Sequence, residues 1–187
     1  MEQSFWLYVY HLLFVLNQFG PLERCALRPG NVHSADGWEA VPKPVIARYA
    51  DRHLMRLFRG DAAFAISELY KILEAAGYFY AIRLRANHIL QSRIVHLLKH
   101  PVGRPPKGVK RVYDDFEYLA VSWDKPRRIV AKVEWYPGEF FPRVGFVLTN
   151  LPIQADWVIQ FYNKRGTARK EGKQAISWTR LSCKALI

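Results

Sequence analysis

The chain has 187 residues, half of them hydrophobic, with a formal net charge of +12 and a pI near 9.9. That is enough apolar sequence for one domain with an insertion, and too much for a disordered chain. A polyanion is the usual physical reason for such a cationic excess, and nucleic acid is the leading candidate. The charge is uneven. Residues 1–98 carry 11 basic against 8 acidic side chains, and residues 99–187 carry 17 against 8. Cys25 and Cys183 are far apart and form no C-x-x-C pair. This argues against a zinc site or a disulfide framework and fits a cytoplasmic protein. Residues 5–16 form an apolar run that is too short for a membrane span. Only Glu2 stands ahead of it where a signal peptide wants basic residues, so a buried strand is the better reading. No membrane partner is expected.

Taken in order, residues 12–19 read as a strand, and Asn17–Gly20 with Pro21 as a turn. Residues 23–27 read as a strand paired back in a hairpin. Ser34 and Asp36 are placed to cap a helix carrying Trp38, Val41, Val45 and Ile46, with Pro42 and Pro44 making its first turns irregular. Residues 55–58 predict a strand and 65–76 a helix stopped by Gly77. Another strand is expected over 78–84 and another helix over 87–98. His96 and His100 are one helical turn apart, but no Glu follows His96, so a solvated or DNA-facing helix is preferred to a metal pair. Residues 100–111 are extended by proline and made cationic by Arg104, Lys107 and their neighbours. Within them Gly103-Arg104-Pro105 looks like the core of an AT-hook, whose arginine enters the minor groove; the alternative is a plain basic linker. Residues 116–123, 128–135 and 140–149 predict a three-stranded meander with turns at Asp124-Lys-Pro and Tyr136-Pro-Gly-Glu139. Residues 154–162 predict a helix with Trp157, Val158 and Phe161 on one face. The alternation of strands and helices is that of an α/β sheet with some antiparallel pairing.

The stretch 57–65, Leu-Phe-Arg-Gly-Asp-Ala-Ala-Phe-Ala, singles out Asp61. A strand, a tight turn and a helix would put this carboxylate at the carboxyl end of the strand, where open α/β sheets bind ligands. There it is suited to holding a divalent metal through oxygen. The competing reading is that Asp61 only caps the helix after it.

Several blocks, in one order, resemble bacterial insertion-sequence transposases of the DDE type. They are Asn17-Gln-Phe-Gly20 followed by Leu22 through Trp38, Phe58-Arg-Gly-Asp-Ala-Ala-Phe64, Pro101-Val-Gly-Arg-Pro-Pro106, Phe161-Tyr-Asn-Lys-Arg-Gly-Thr167 and Trp178-Thr-Arg-Leu-Ser-Cys183. The resemblance implies an RNase H-like mixed sheet with flanking helices, carrying a small antiparallel β insertion. It divides the chain into a partial core over 1–98, a basic linker with the β-meander insertion over 99–151, and a C-terminal helix returning to the core over 152–187. It also implies DNA transposition by metal-dependent phosphodiester cleavage and strand transfer, with three carboxylates holding two Mg2+ or Mn2+ ions.

Asp61 matches the second Asp of that family. The strand bearing the first Asp would precede residue 1, so the sheet is expected to be incomplete at its N-terminal end. The strands at 12–19 and before Asp61 would then keep unpaired edges and favour aggregation, with residues 1–10 partly filling the gap. Tyr162 and Arg165 match a Tyr-x-x-Arg-x-x-x-Glu pattern, but Arg169 stands where its Glu is expected, and Glu171 is the only nearby acid. The pattern is also left early at residues 184–187. The expectation is a truncated transposase, recognisable by descent and inactive. Asp61 is its metal ligand, and Asp61 and Glu171 are its candidate catalytic acids. Arg104, Lys107, Tyr162 and Arg165 are its candidate DNA contacts. Transposon-end DNA is the expected partner, along with a second copy or an intact transposase. The alternatives are a non-catalytic DNA-binding remnant and a basic RNA-binding protein.

Overall fold

The computed structural model describes residues 10–17, 19, 21–29, 36–99, 108–164 and 183–186. The first hairpin joins β1 (Tyr10–Leu16) to β2 (Leu22–Pro29). Asn17 fixes its turn: its side chain accepts the Phe19 N–H at 2.9 Å and donates to Glu23 at 3.1 Å. The helix expected next divides into a 3-10 turn, Trp38–Ala40, and α1, Pro42–Arg48. Its N-cap position is Gly37, in the left-handed region at φ 63°, and Ser34, one of the two expected caps, lies outside the described residues. Pro42 does not disturb the helix, because it sits in the first turn, where a missing N–H costs nothing.

β3 (Leu57–Gly60) leads through a 3-10 turn (Ala62–Phe64) into α2 (Ser67–Ala75), which ends at Gly77, φ 70°. β4 (Phe79–Leu84) follows, then α3 (His88–Arg93), capped by the Asn87 side chain, which accepts the Leu90 N–H at 2.8 Å. The His96 imidazole meets Asp114 at 3.2 Å, as a solvated surface residue would; His100 lies outside the described residues. The meander is β5 (Lys110–Tyr118), β6 (Arg127–Trp135) and β7 (Arg143–Thr149), and α4 (Ala155–Asn163) follows it. The last described element is β8 (Cys183–Leu186).

These eight strands form one mixed sheet in the order β2-β1-β8-β3-β4-β7-β6-β5. The meander continues the sheet: β7 pairs antiparallel with β4 from Ala81–Thr149 to Leu84–Phe146. One expectation changes here. The edges of β1 and β3 are not left open. β8 lies between them, parallel to β1 (Leu13–Cys183 to Leu16–Leu186) and antiparallel to β3 (Arg59–Leu186, Gly60–Ala185). A strand from the far end of the sequence satisfies the backbone groups that residues 1–10 were expected to cover.

Successive strand residues point to opposite faces, and burial follows this alternation. Tyr80, Ile82 and Leu84 of β4 join Ile129, Ala131, Val133, Phe146 and Leu148 in the larger cluster, which α1, α2 and α3 cover with Val45, Leu69, Tyr70, Leu73 and Leu90. Phe79 and Ala81 face the other way, with Val130 and Val147, against Val158 and Ile159 of α4. The buried pair on α4 is therefore Val158 and Ile159. Trp157, expected on that face, is exposed, because the face that meets the sheet is turned one residue further along the helix.

A buried cation ties α2 to the meander. The Arg127 guanidinium donates to both Glu74 carboxylate oxygens, at 2.9 and 3.2 Å, and to Asp124 at 2.9 Å, while lying over the Tyr70 and Trp123 rings. Burial pushes the Glu74 carboxyl up, but hydrogen bonds from Arg127, Lys125 and Tyr80 outweigh it and hold the group below the ordinary carboxylate range.

Candidate nucleic-acid interface

Asp61 follows β3 directly, in extended backbone at φ −82°. Its Oδ1 accepts the Ala63 N–H at 3.0 Å and so caps the 3-10 turn Ala62–Phe64. The capping reading of this acid is therefore realised in the geometry. The residue before it, Gly60, is glycine for want of space. A Cβ there would lie 3.0 Å from the Phe64 Cβ, 3.1 Å from the Phe58 ring and 3.4 Å from Ile82. The Arg-Gly-Asp-Ala-Ala-Phe sequence is thus a close-packed strand-to-helix turn.

Arg59 lies on the opposite face from Gly60, toward α4. Its guanidinium donates to the Phe161 carbonyl at 3.0 Å and stacks 4.9 Å from the Phe161 ring centre. This contact ties the strand that ends at Asp61 to the turn of α4 that carries Tyr162. Tyr162 packs with the smaller cluster as well as lining a surface groove. The other named candidates, Arg104, Lys107, Arg165 and Glu171, and Arg169 with them, lie outside the described residues.

Among the described residues no three His, Cys, Asp or Glu side chains gather where they could hold a metal ion. The one candidate ligand placed here has an oxygen committed to a backbone N–H. A two-metal centre needs several carboxylate oxygens converging on each ion, and Asp61 is the one named acid that lies among the described residues.

The groove, about 230 Å³, opens where α4 stops covering the sheet. Its floor continues the face that carries Ala81, Val130 and Val147: Arg83 on β4, Lys132 and Glu134 on β6, Arg143 and Gly145 on β7. Sequence reading missed it. The only available signals were Arg83, which interrupts the apolar run of β4, and Gly145, which pairs with Lys132 across the strands and leaves the floor low. Glu134 accepts from Lys132 at 2.8 Å and Arg111 at 2.9 Å. Burial raises its carboxyl, and those two cations more than reverse the effect, so it stays ionised. Arg143 pairs with Glu139 at 2.5 Å and lies over the Tyr136 ring at 4.2 Å. The structure gives Arg83 no ion-pair partner among the described residues. Three cations against Glu134 and Glu139 leave the groove positive.

No helix among the described residues is long and apolar enough to cross a membrane. A search of curated proteins finds no match. A comparison with family models does: residues 3–187 match transposase DDE domain group 1, nearly the whole chain, and the chain belongs to that family.

Proposed function

We infer that this protein is a DNA-binding transposase-family domain that does not itself cut DNA. Transposases of this kind generally use divalent metal ions. The RNase H-like organisation that the family resemblance implies is supported by a mixed sheet with helices on both faces and a parallel β3–β4 pair ending at Asp61. The observation that carries the inactive reading is the engagement of Asp61 as a turn cap, with no other acids gathered into a metal-holding group among the described residues. Arg169 in place of the expected Glu agrees with it, since a cation there repels a metal ion at close range. No cleavage step is assigned to these residues. What remains is electrostatic attraction to the phosphate backbone, concentrated in the 99–187 half, with Arg104, Lys107, Tyr162 and Arg165 as its candidate contacts.

Two measurements test the reading. In filter binding, affinity for duplex DNA is expected to be weak, insensitive to sequence, and to fall steeply with salt as phosphate contacts release counterions. Affinity indifferent to salt would overturn the DNA-binding part. Oligonucleotide nicking with magnesium or manganese is expected to give no product. Metal-dependent nicking that disappears in Asp61→Ala would falsify the inactive part and make Asp61 and Glu171 the acids to examine.

A further inference from the structure

Just ahead of Arg143, which lines the cationic groove, the β6–β7 connection carries Phe140 and Phe141 side by side, 87% and 83% exposed. Two adjacent phenylalanines this open to water lose the transfer free energy that burial would return, and a single surface apolar residue would not raise the question. They are anchored rather than remote. Pro142 alone separates Phe141 from Arg143, so the Cα atoms of Phe141 and Arg143 are no more than about 7 Å apart. Arg143 itself lines the groove and is held by Glu139 and the Tyr136 ring. Gly138, at φ 82°, lets the chain turn just before the pair.

A positive channel with exposed aromatic rings close to one of its cations is a combination that receives an unpaired nucleic-acid strand. The cations follow the phosphates, and the rings stack on bases that are not hidden inside a duplex. We propose that the groove formed by Arg83, Lys132 and Arg143, together with Phe140 and Phe141, is a binding site for single-stranded DNA. The assignment rests on the DNA-binding reading above and makes it more specific. A duplex would meet the same cations but would offer the phenylalanines no free base face. Glu134 sits beneath the cations and keeps Lys132 and Arg111 in place, and the surplus charge of Arg83 meets a phosphate.

The experiment uses the full chain and two labelled probes, a short oligothymidine strand and a duplex of equal length, followed by fluorescence anisotropy at several salt concentrations. Phe140→Ala and Phe141→Ala are each expected to weaken single-strand binding by about fivefold or more and to leave duplex binding unchanged. Phe140→Trp, which keeps a stacking face, is expected to restore single-strand binding. Arg83→Ala is expected to weaken single-strand binding and to flatten its salt dependence by roughly one phosphate contact. All three positions are exposed, and unchanged circular dichroism checks that the fold is kept. If the alanine variants lose both probes equally, or neither, the single-strand site is overturned while the broader DNA reading stands. If the wild type binds neither probe, both fail. Concentration-dependent self-association that the alanine variants abolish, without loss of oligothymidine binding, assigns the phenylalanines to an interface between copies and likewise overturns the proposal.

Discussion

From β4 outward the strands hold one another over long antiparallel registers, nine residue pairs between β5 and β6, seven between β6 and β7, and four between β7 and β4. On the other side of β3 the sheet depends on β8, which meets β1 over four pairs and β3 over two. Within the first region β5, β6 and β7 are neighbours in sequence, and the meander is fastened to α2 by a buried ion cluster. The second is joined by a segment more than a hundred residues away from the strands it connects. Local pairing costs little loop-closure entropy, whereas the distant strand repays a long closure with few hydrogen bonds. The meander region should therefore carry most of the stability, and the seam around β3 should respond locally.

The largest effect is expected at Arg127. Its side chain is 3% exposed, and removing it leaves the Glu74 carboxylate without its bidentate partner in a partly buried setting. Arg127→Ala should cost about 3 kcal/mol in urea denaturation. The pH dependence sharpens this. The folded Glu74 carboxyl lies below its ordinary value of 4.5, so the stability it contributes is complete above that value and is lost as pH falls through the folded value. Glu74→Gln should flatten that acid limb. If Arg127→Ala were no more harmful than a surface substitution, the meander would not be the anchored half.

A smaller loss is expected at the seam. Gly60→Ala places a methyl 3.0 Å from the Phe64 Cβ, which is tied to the backbone and cannot swing aside as the Phe58 ring can. Overpacking of this kind should cost about 1–2 kcal/mol in thermal denaturation. A neutral outcome would mean that the β3 turn relaxes freely and that the tight packing beside Asp61 is not required.

The two regions were not equally legible in the sequence. The β6 and β7 strands, the 22–29 return strand and the α2 and α4 helices are local, and periodicity with turn residues such as Gly77 is a local signal; the first meander strand was expected at 116–123, whereas β5 runs Lys110–Tyr118. β8 was not legible, because nothing in residues 183–186 names the strands that they will lie between. The groove was hidden for a related reason. Arg83, Lys132 and Arg143 come from three strands, and only the pairing of β4 with β7 and β7 with β6 assembles them. Phe161 was readable as a packing residue, yet its role as the seat for Arg59 depends on β3 and α4, about a hundred residues apart, meeting. Asp61 was legible as a singular residue with two candidate roles, cap and metal ligand, and the geometry shows the cap.

That choice gives the smallest expected effect and the finest test. A capping side chain needs an oxygen acceptor and not a charge, and Asn serves at such positions about as well as Asp. Asp61→Asn should therefore leave the melting temperature close to that of the wild type. Asp61→Ala should remove the acceptor for the Ala63 N–H and cost about 1 kcal/mol. A metal ligand behaves differently. An ion bound only by the folded protein raises its melting temperature in proportion to how far its concentration exceeds the dissociation constant. It should lose that effect in both variants, since the neutral amide is a poorer ligand for a hard cation than the carboxylate. Melting curves of the wild type and both variants, with and without magnesium, separate the two roles. The capping role gives Asn near wild type, Ala lower, and no response to magnesium in any of them. A magnesium-dependent rise in the wild type that vanishes in both variants would show that Asp61 holds a cation after all, with ligands supplied from outside the residues described.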